Sequence, residues 1–329
     1  MPAASPDHLP GNPALSETPG GRLITESQFE VSFDSVTADT VADEITPHRV
    51  VKKLGVGFWI AVGFLVLLTS MAILAPYLPF VDEPNATDFL LQAEAGPSYE
   101  HWMGVDAIGR DVFSRVVWGA RVSLSIAALT VAFGLAIGGV VGLTAGFYGG
   151  LYEKISVGSL DIMLAFPPLI LALALVSFLS EPGTQNATLF TVTLTLTVLT
   201  VPAFARIARA TTLGFAQREF VQASRTLGAT KGRVLLRDIF PNVVPPMLSF
   251  ALIVVAIVIV GEGTLSFLGL SVSSPTPTWG SLINDGRDYL DSAPHISLFP
   301  CLIMFLTLLA FNYVGDVLRR RFDVKEVSL

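Results

Sequence analysis

The sequence is poor in the residue types that usually carry chemistry. Its 329 residues include one cysteine, Cys301, which excludes an intrachain disulfide and any paired-cysteine metal site. Cys301 lies inside an apolar run and reads as small buried filler. Histidine is almost as scarce: His8, His48, His101 and His295 are scattered outside the apolar runs. They form no cluster, and His101 and His295 read as solvated loop residues. There is no G-x-x-x-x-G-K-[ST] phosphate loop, no H-E-x-x-H pair and no G-x-S-x-G elbow. With no nucleophile and base converging, no residue reads as catalytic, and neither a metal nor a cofactor is expected in this chain.

Charge is scarce too. Charged residues make up 14% of the chain, against about 25% in ordinary soluble proteins. Hydrophobic residues reach 52% and mean hydropathy is +0.63. The apolar residues fall in segments at about 55–79, 122–146, 160–180, 187–206, 244–265 and 296–317, each near the roughly 20 residues that span a hydrocarbon core. The expected fold is an all-α membrane protein of six spans. The first and third spans carry prolines (Pro76, Pro79; Pro167, Pro168), which bundled membrane helices accommodate as kinks.

Most of the net charge of −7 sits in residues 1–50, where Asp7, Glu17, Glu26, Glu30, Asp34, Asp39, Asp43 and Glu44 face only Arg22 and Arg49. That stretch is rich in Pro, Ser, Thr and Gly and buries too little apolar surface to offset its chain entropy. It reads as a disordered acidic tail without the basic and apolar regions of a signal peptide. The remainder, 51–325, then holds the spans, with an outer loop at 80–121 and a basic loop at 207–243.

Orientation follows from Lys and Arg. Arg49, Lys52, Lys53, Lys154, Arg206, Arg209, Arg218, Arg225, Lys231, Arg233, Arg237, Arg319, Arg320, Arg321 and Lys325 fall on one face of a six-span topology. The other face has Arg110, Arg115, Arg121 and Arg287 among many acids. Both termini and the 207–243 loop are therefore expected in the cytoplasm.

Three features inside this frame bear on function. Gly134, Gly138, Gly142 and Gly146 recur every four residues along the second span, a small-residue ridge that lets another helix approach closely. Asp161, Glu262 and Asp316 are carboxylates within or at the edges of spans, and such groups are candidates for a pathway or gate. Glu262, about 18 residues into the fifth span, belongs near its outer end; the competing reading has it reaching interfacial water or hydrogen-bonded to a neighbouring helix. Finally, "FVQASRTLGATKGRVLLRDIFPN" from Phe220 interrupts two apolar runs with charge. Phe220, Ala223 and Leu227 share helical spacing, Gly228 suits a left-handed C-cap, and Thr230 suits an N-cap. The second short helix presents Val234, Leu235 and Ile239 before Pro241 stops it. The result is a bent basic protrusion; a basic interfacial helix on anionic lipid has the same composition. Because both ends are tethered to spans, a nucleic-acid reader is not expected.

"QASRTLGATKGRVLLRDIFP" resembles the E-A-A-x3-G-x9-I-x-L-P loop of ATP-binding-cassette importer permeases, with Gln222, Ala223 and Ser224 in place of Glu-Ala-Ala. "HWMGVDAIGRDVFSRVVWGARVSL", "GEGTLSFLGLSVSSPTPTWGSLINDGRDYL" and "FPCLIMFLTLLAFNYVGDVLRRRFD" are similar to blocks of the C-type permease of the dipeptide, oligopeptide and nickel group. Gly158 stands where that group often has Arg.

The resemblance implies the type I importer permease fold. It implies a coupling helix at Gln222, Ala223, Ser224, Leu227, Gly228, Arg233 and Pro241 that docks on a separate ATPase. It further implies two ATP-binding subunits carrying ATP and Mg, a second homologous permease, and an extracytoplasmic solute-binding protein. The expected solute is a dipeptide, an oligopeptide or a related small molecule. An ion-coupled transporter or channel acting alone, with Glu262 as its proton site, is the alternative; it would be expected to show inverted repeats, and none is convincing.

Overall fold

The computed structural model describes residues 54–87, 93–180, 187–272 and 275–326. The acidic tail at 1–50 lies outside the described residues.

The chain runs as helices that are apolar on nearly every side. Helix α1 (Val56–Leu74) buries only Phe58, Leu68 and Ala72, and ends in a 3-10 turn at Ala75–Tyr77 with Pro76 in its first turn. Trp59, Ile60, Leu67 and Ile73 are exposed, as a helix bordering lipid requires, while Phe64 and Met71 pack partly against the bundle. Helix α2 (Val112–Tyr148) starts where Asp111 accepts a 2.7 Å hydrogen bond from Ser114 N and ends at Gly149. At 1.5 Å per residue its 37 residues extend about 55 Å, well beyond the roughly 30 Å hydrocarbon core. It begins at Val112, inside the stretch expected to be an outer loop.

Helix α5 (Leu189–Ala216) is capped by Thr188, whose hydroxyl accepts from Thr191 N at 3.2 Å. Helix α7 (Lys231–Phe267) and helix α9 (His295–Glu326) are the other long elements. Between α7 and α9 lies the short helix α8 (Trp279–Gly286), started by a reciprocal capping box between Thr278 and Ser281. Helix α6 (Glu219–Thr226) sits between α5 and α7.

The third apolar segment departs from expectation. Instead of one span at 160–180 there are two helices, α3 (Gly150–Ala165) and α4 (Pro168–Leu179), bent by 94°. The cause is local: Phe166 and Pro167 are extended, with ψ near 137° and 126°. A residue before proline is pushed out of the α region, and two consecutive prolines remove two N–H donors. Among the described residues five helices are long and apolar enough to cross a membrane, or six if the bent pair forms one span.

Pro241 does not stop a helix. Residues Val234–Ile239 form a π-helical turn, and the helix continues through Pro241, Pro245 and Pro246 to Phe267. A π turn shifts the hydrogen-bond ladder by one residue, so the missing N–H of Pro241 falls at a new first turn, where proline is tolerated. Consequently most of the 207–243 loop is helical: α5 reaches Ala216, α7 starts at Lys231, and only 217–230 forms the bend. Cys301 is also not buried filler; its side chain is exposed on α9.

The core is the seam of α2 on α5, with α7 packed across it. The glycine ridge lines that seam. A Cβ at Gly134 would lie 2.5 Å from Thr200 Oγ1, and one at Gly138 would lie 2.5 Å from the Val201 carbonyl oxygen. At Gly142 it would collide with the Ala205 carbonyl oxygen, and at Gly146 it would sit 2.9 Å from that of Arg209. Only hydrogen fits at these positions, and the backbones touch along three turns. Phe204, fully buried, fills the next layer and meets Phe250 of α7 edge-on at 5.5 Å.

Candidate functional site

Two built regions lie at opposite ends of α2. At its C-terminal end, α6 and the turn after it form the bend. Gly228 has φ +85° and open space around it, so backbone conformation alone demands glycine. Gly228 N donates to Arg225 O at 3.0 Å and Ala229 N to Ser224 O at 3.1 Å, the paired bonds of a Schellman motif. Thr230 occupies the N-cap position, with no side-chain cap bond. Val221 is fully buried, and Arg225 lies 5.6 Å over the Phe147 ring at the end of α2. These contacts fix α6 to the bundle.

The outward side of α6 sets two apolar residues, Phe220 and Ala223, among the polar Glu219, Gln222, Arg225 and Thr226, and Leu227 follows at its end. Phe220 is exposed, Ala223 and Gln222 are exposed, and Leu227 is 88% accessible. Ser224 is half-buried, while Arg233 and Pro241 are exposed. Val234, Leu235 and Ile239 turn inward and are buried, contrary to their expected place on the protrusion. An exposed leucine and phenylalanine on one short helix is a contact surface in want of a partner.

At the N-terminal end of α2 stands a charged knot. Asp106 accepts from Arg110 Nε at 2.6 Å, Arg115 Nη1 at 2.9 Å, and the backbone N–H groups of Ile108 and Arg110 at 3.0 and 2.9 Å. Arg115 Nη2 reaches Asp285 of α8 at 3.4 Å. Asp111 takes His101 Nδ1 at 2.9 Å besides capping α2. His295 Nε2 lies 3.2 Å from the Val105 carbonyl oxygen. Both histidines are therefore packing elements, not solvated loop residues. Asp106 and Arg115 are almost fully buried, and a buried charge needs partners of this kind.

Glu262 is 1% accessible and accepts from Ser271 Oγ at 2.8 Å and Ser123 Oγ at 3.2 Å. Ser123 Oγ in turn accepts from Trp279 N at 3.1 Å, and Trp279 Nε1 donates to Val116 O at 3.1 Å. The carboxylate thus ties α7 to α2 and to the start of α8. Asp161 is exposed on α3, 2.9 Å from Arg206 Nη2; nearby, Arg209 of α5 pairs with Glu153 of α3. Asp316 is exposed on α9. No hydrogen bond or ion pair among the described residues joins any two of Glu262, Asp161 and Asp316, so they do not form one relay. No group of His, Cys, Asp and Glu suited to a metal ion occurs among the described residues.

The residues missed from sequence are Asp106, Arg115, Asp285, Ser123, Ser271 and Trp279. Their partners are up to 170 residues apart, which leaves no periodic signal.

Five or six apolar helices of spanning length, closed by a tight glycine seam, define a multi-pass membrane protein. Residues 134–326 match the family described as binding-protein-dependent transport system inner membrane component. The chain is 39% identical over 262 residues to the glutathione transport system permease protein GsiD of Pectobacterium atrosepticum, covering 80% of this chain and 85% of that one. It is 40% identical over 262 residues to GsiD of Escherichia coli O1:K1, covering 80% and 84%. Two inward-facing crystal forms of the MetNI methionine ABC transporter share the fold, with TM-scores of 0.53 and 0.52 at 20% identity, covering 64% and 63% of this chain and 97% and 96% of theirs. The chain belongs to the binding-protein-dependent transport system inner membrane component family and is a multi-pass inner-membrane permease of an ABC importer.

Proposed function

We propose that the chain is the transmembrane subunit of an importer of short peptides, coupled to a separate ATPase through residues 219–230. The observation that carries this is the exposed pair Phe220 and Leu227 at the two ends of α6, a helix held by Val221, Arg225 and the Gly228 turn. A rigid elbow transmits a displacement, whereas a mobile one absorbs it. Closure of two ATP-binding subunits, which carry ATP and Mg, pushes on Phe220, Ala223 and Leu227. The bundle then moves as a body between two states biased by those contacts. The basic residues Arg225, Lys231, Arg233 and Arg237 support a cytoplasmic location for this end and for both termini.

The glycine seam supports a second permease. It closes α2 on α5 without space between them, so the solute path is assigned to a surface shared with a homologous subunit. An extracytoplasmic binding protein delivers solute to the α8 end. The peptide class rests on GsiD relatives named for glutathione, itself a short peptide. Glu262, alone and enclosed by hydroxyls, acts as an anchor, which argues against an ion-coupled carrier. The test is reconstitution of the chain with its ATPase, second permease and binding protein in liposomes. ATP-dependent accumulation of labelled peptide is expected; gradient-driven uptake by the purified chain alone would overturn the reading.

A further inference from the structure

At the α8 end, a polar cavity of about 160 Å³ is walled by the start of α2, the turn after α7, and α8 itself. Arg115, Ser266, Ser271, Ser281, Asn284 and Asp285 line it. A water occupies about 30 Å³ of liquid, so the space admits a small polar group. A wider cavity of about 430 Å³ also has Asn284 and Asp285 in its lining.

Two atoms of these wall residues have almost no accessible surface, so neither faces the open cavity until a neighbour moves, and neither has a hydrogen-bond partner among the described residues: Arg115 Nε and Asn284 Oδ1. Buried polar atoms are nearly always paired. Their chemistry is complementary, one a charged donor and the other a neutral acceptor.

The geometry of the guanidinium narrows the class of ligand. Nε–H and Nη2–H project along one edge, the edge that grips a planar carboxylate with two parallel bonds. Arg115 commits Nη1, off that edge, to Asp106 at 2.9 Å. On the edge itself Nη2 has only a long 3.4 Å contact, to Asp285, whose side chain is half-exposed. Asp106, Arg110, Arg115 and Asp285 balance in charge, so the pocket selects by shape and hydrogen bonding more than by net field. A carboxylate beside an N–H matches both free atoms, and that pair of groups is the C-terminus of a peptide.

We propose that this cavity is a receiving subsite for the C-terminal carboxylate of the transported peptide. Asp285 swings aside to uncover the shielded edge, Arg115 Nε and Nη2 take the two oxygens, and Asn284 Oδ1, opened by the same movement, accepts the adjacent amide N–H. The assignment of the ligand to the transported solute rests on the peptide-importer reading; the carboxylate chemistry does not.

The test uses the assembled transporter in nanodiscs without binding protein, probed by saturation-transfer NMR with N-acetylalanine and N-acetylalaninamide. The acid is expected to bind saturably and about tenfold more tightly than the amide, the factor of a charge-assisted hydrogen bond. Asn284→Ala removes no side-chain hydrogen bond among the described residues and is expected to weaken acid binding about fivefold or more; Asn284→Asp abolishes it by repulsion. Arg115→Lys keeps the charge beside Asp106 but loses the fork, and is expected to erase the preference for acid over amide. Equal binding of acid and amide, sulfate binding as tightly as the acid, or undiminished binding in Asn284→Ala would each overturn the subsite. Peptide uptake by the wild-type transporter is scored separately. Uptake without acid-selective binding sinks the subsite alone; acid-selective binding without peptide uptake supports the subsite's chemistry and sinks the peptide reading.

Discussion

The α2–α5 seam yields a prediction whose sign differs between glycines of the same chain. A methyl group at Gly138 would stand 2.5 Å from the Val201 carbonyl oxygen and 2.8 Å from Phe204 Cβ, and one at Gly142 would stand 2.7 Å from Ala208 Cβ as well as against the Ala205 carbonyl. Carbon contacts are comfortable at 3.5–4.0 Å, so the helices must part by about 1 Å at the substituted turn. In lipid, helix association rests on packing rather than hydrophobic drive. A gap of that size forfeits about a quarter to a half of each lost contact. Gly142→Ala and Gly138→Ala are therefore expected to destabilise by about 1–3 kcal/mol each, the usual range for overpacking. Gly158 in α3 and Gly214 in α5 have nothing within 4 Å of a Cβ. Alanine there gains only helix propensity and is expected to stabilise by about 0.5–1 kcal/mol. Thermal unfolding of the purified protein in mild detergent, followed by circular dichroism, compares the four. Gly142→Ala as stable as wild type, or Gly158→Ala as damaging as Gly142→Ala, would refute the packing argument.

Other expectations follow from the two ends of α2. Gly228→Ala pays about 1–2 kcal/mol for a left-handed alanine and should lower ATP-driven uptake while leaving membrane insertion intact; Gly228→Asn, which visits that region more readily, should be milder in the same uptake assay. Asp106→Asn leaves the buried Arg115 charge poorly compensated and should destabilise by about 3–5 kcal/mol, read in the same unfolding experiment; a stability change below 1 kcal/mol would mean the knot behaves as a surface pair. Glu262→Gln keeps one carbonyl acceptor of the Ser123–Ser271 pair and should cost about 1 kcal/mol with the pH profile of uptake unchanged. A shifted profile would restore Glu262 as a proton site.

How legible these features were depended on whether their cause was local. Long apolar runs and a four-residue glycine period are written along one helix, so the spans and the ridge were readable before any coordinates. The Gly228 turn was readable for the same reason, because a Schellman ending needs one residue of unusual φ. Pro241 misled because proline's effect depends on the ladder around it: one extra residue in the Val234–Ile239 turn converts a stop into a helix start. The Phe166–Pro167–Pro168 break was marked by its prolines, but a 94° bend and a mild kink share that signature. His101 and His295 looked solvated because their partners, Asp111 and the Val105 carbonyl, are set by tertiary packing. The ring of Ser123, Glu262, Ser271 and Trp279 joins elements up to 156 residues apart, a distance over which no spacing rule operates.

The central claim is that α6 passes ATPase motion to the bundle, and Leu227, 88% accessible and unneeded by the fold's own packing, is the residue that tests it. ATP hydrolysis and peptide accumulation should be measured together in liposomes holding the complete transporter with Leu227→Asp. The account expects the chain to insert and unfold like wild type, hydrolysis to lose its dependence on peptide-loaded binding protein, and accumulation to fall to background. Wild-type accumulation with Leu227→Asp would contradict it.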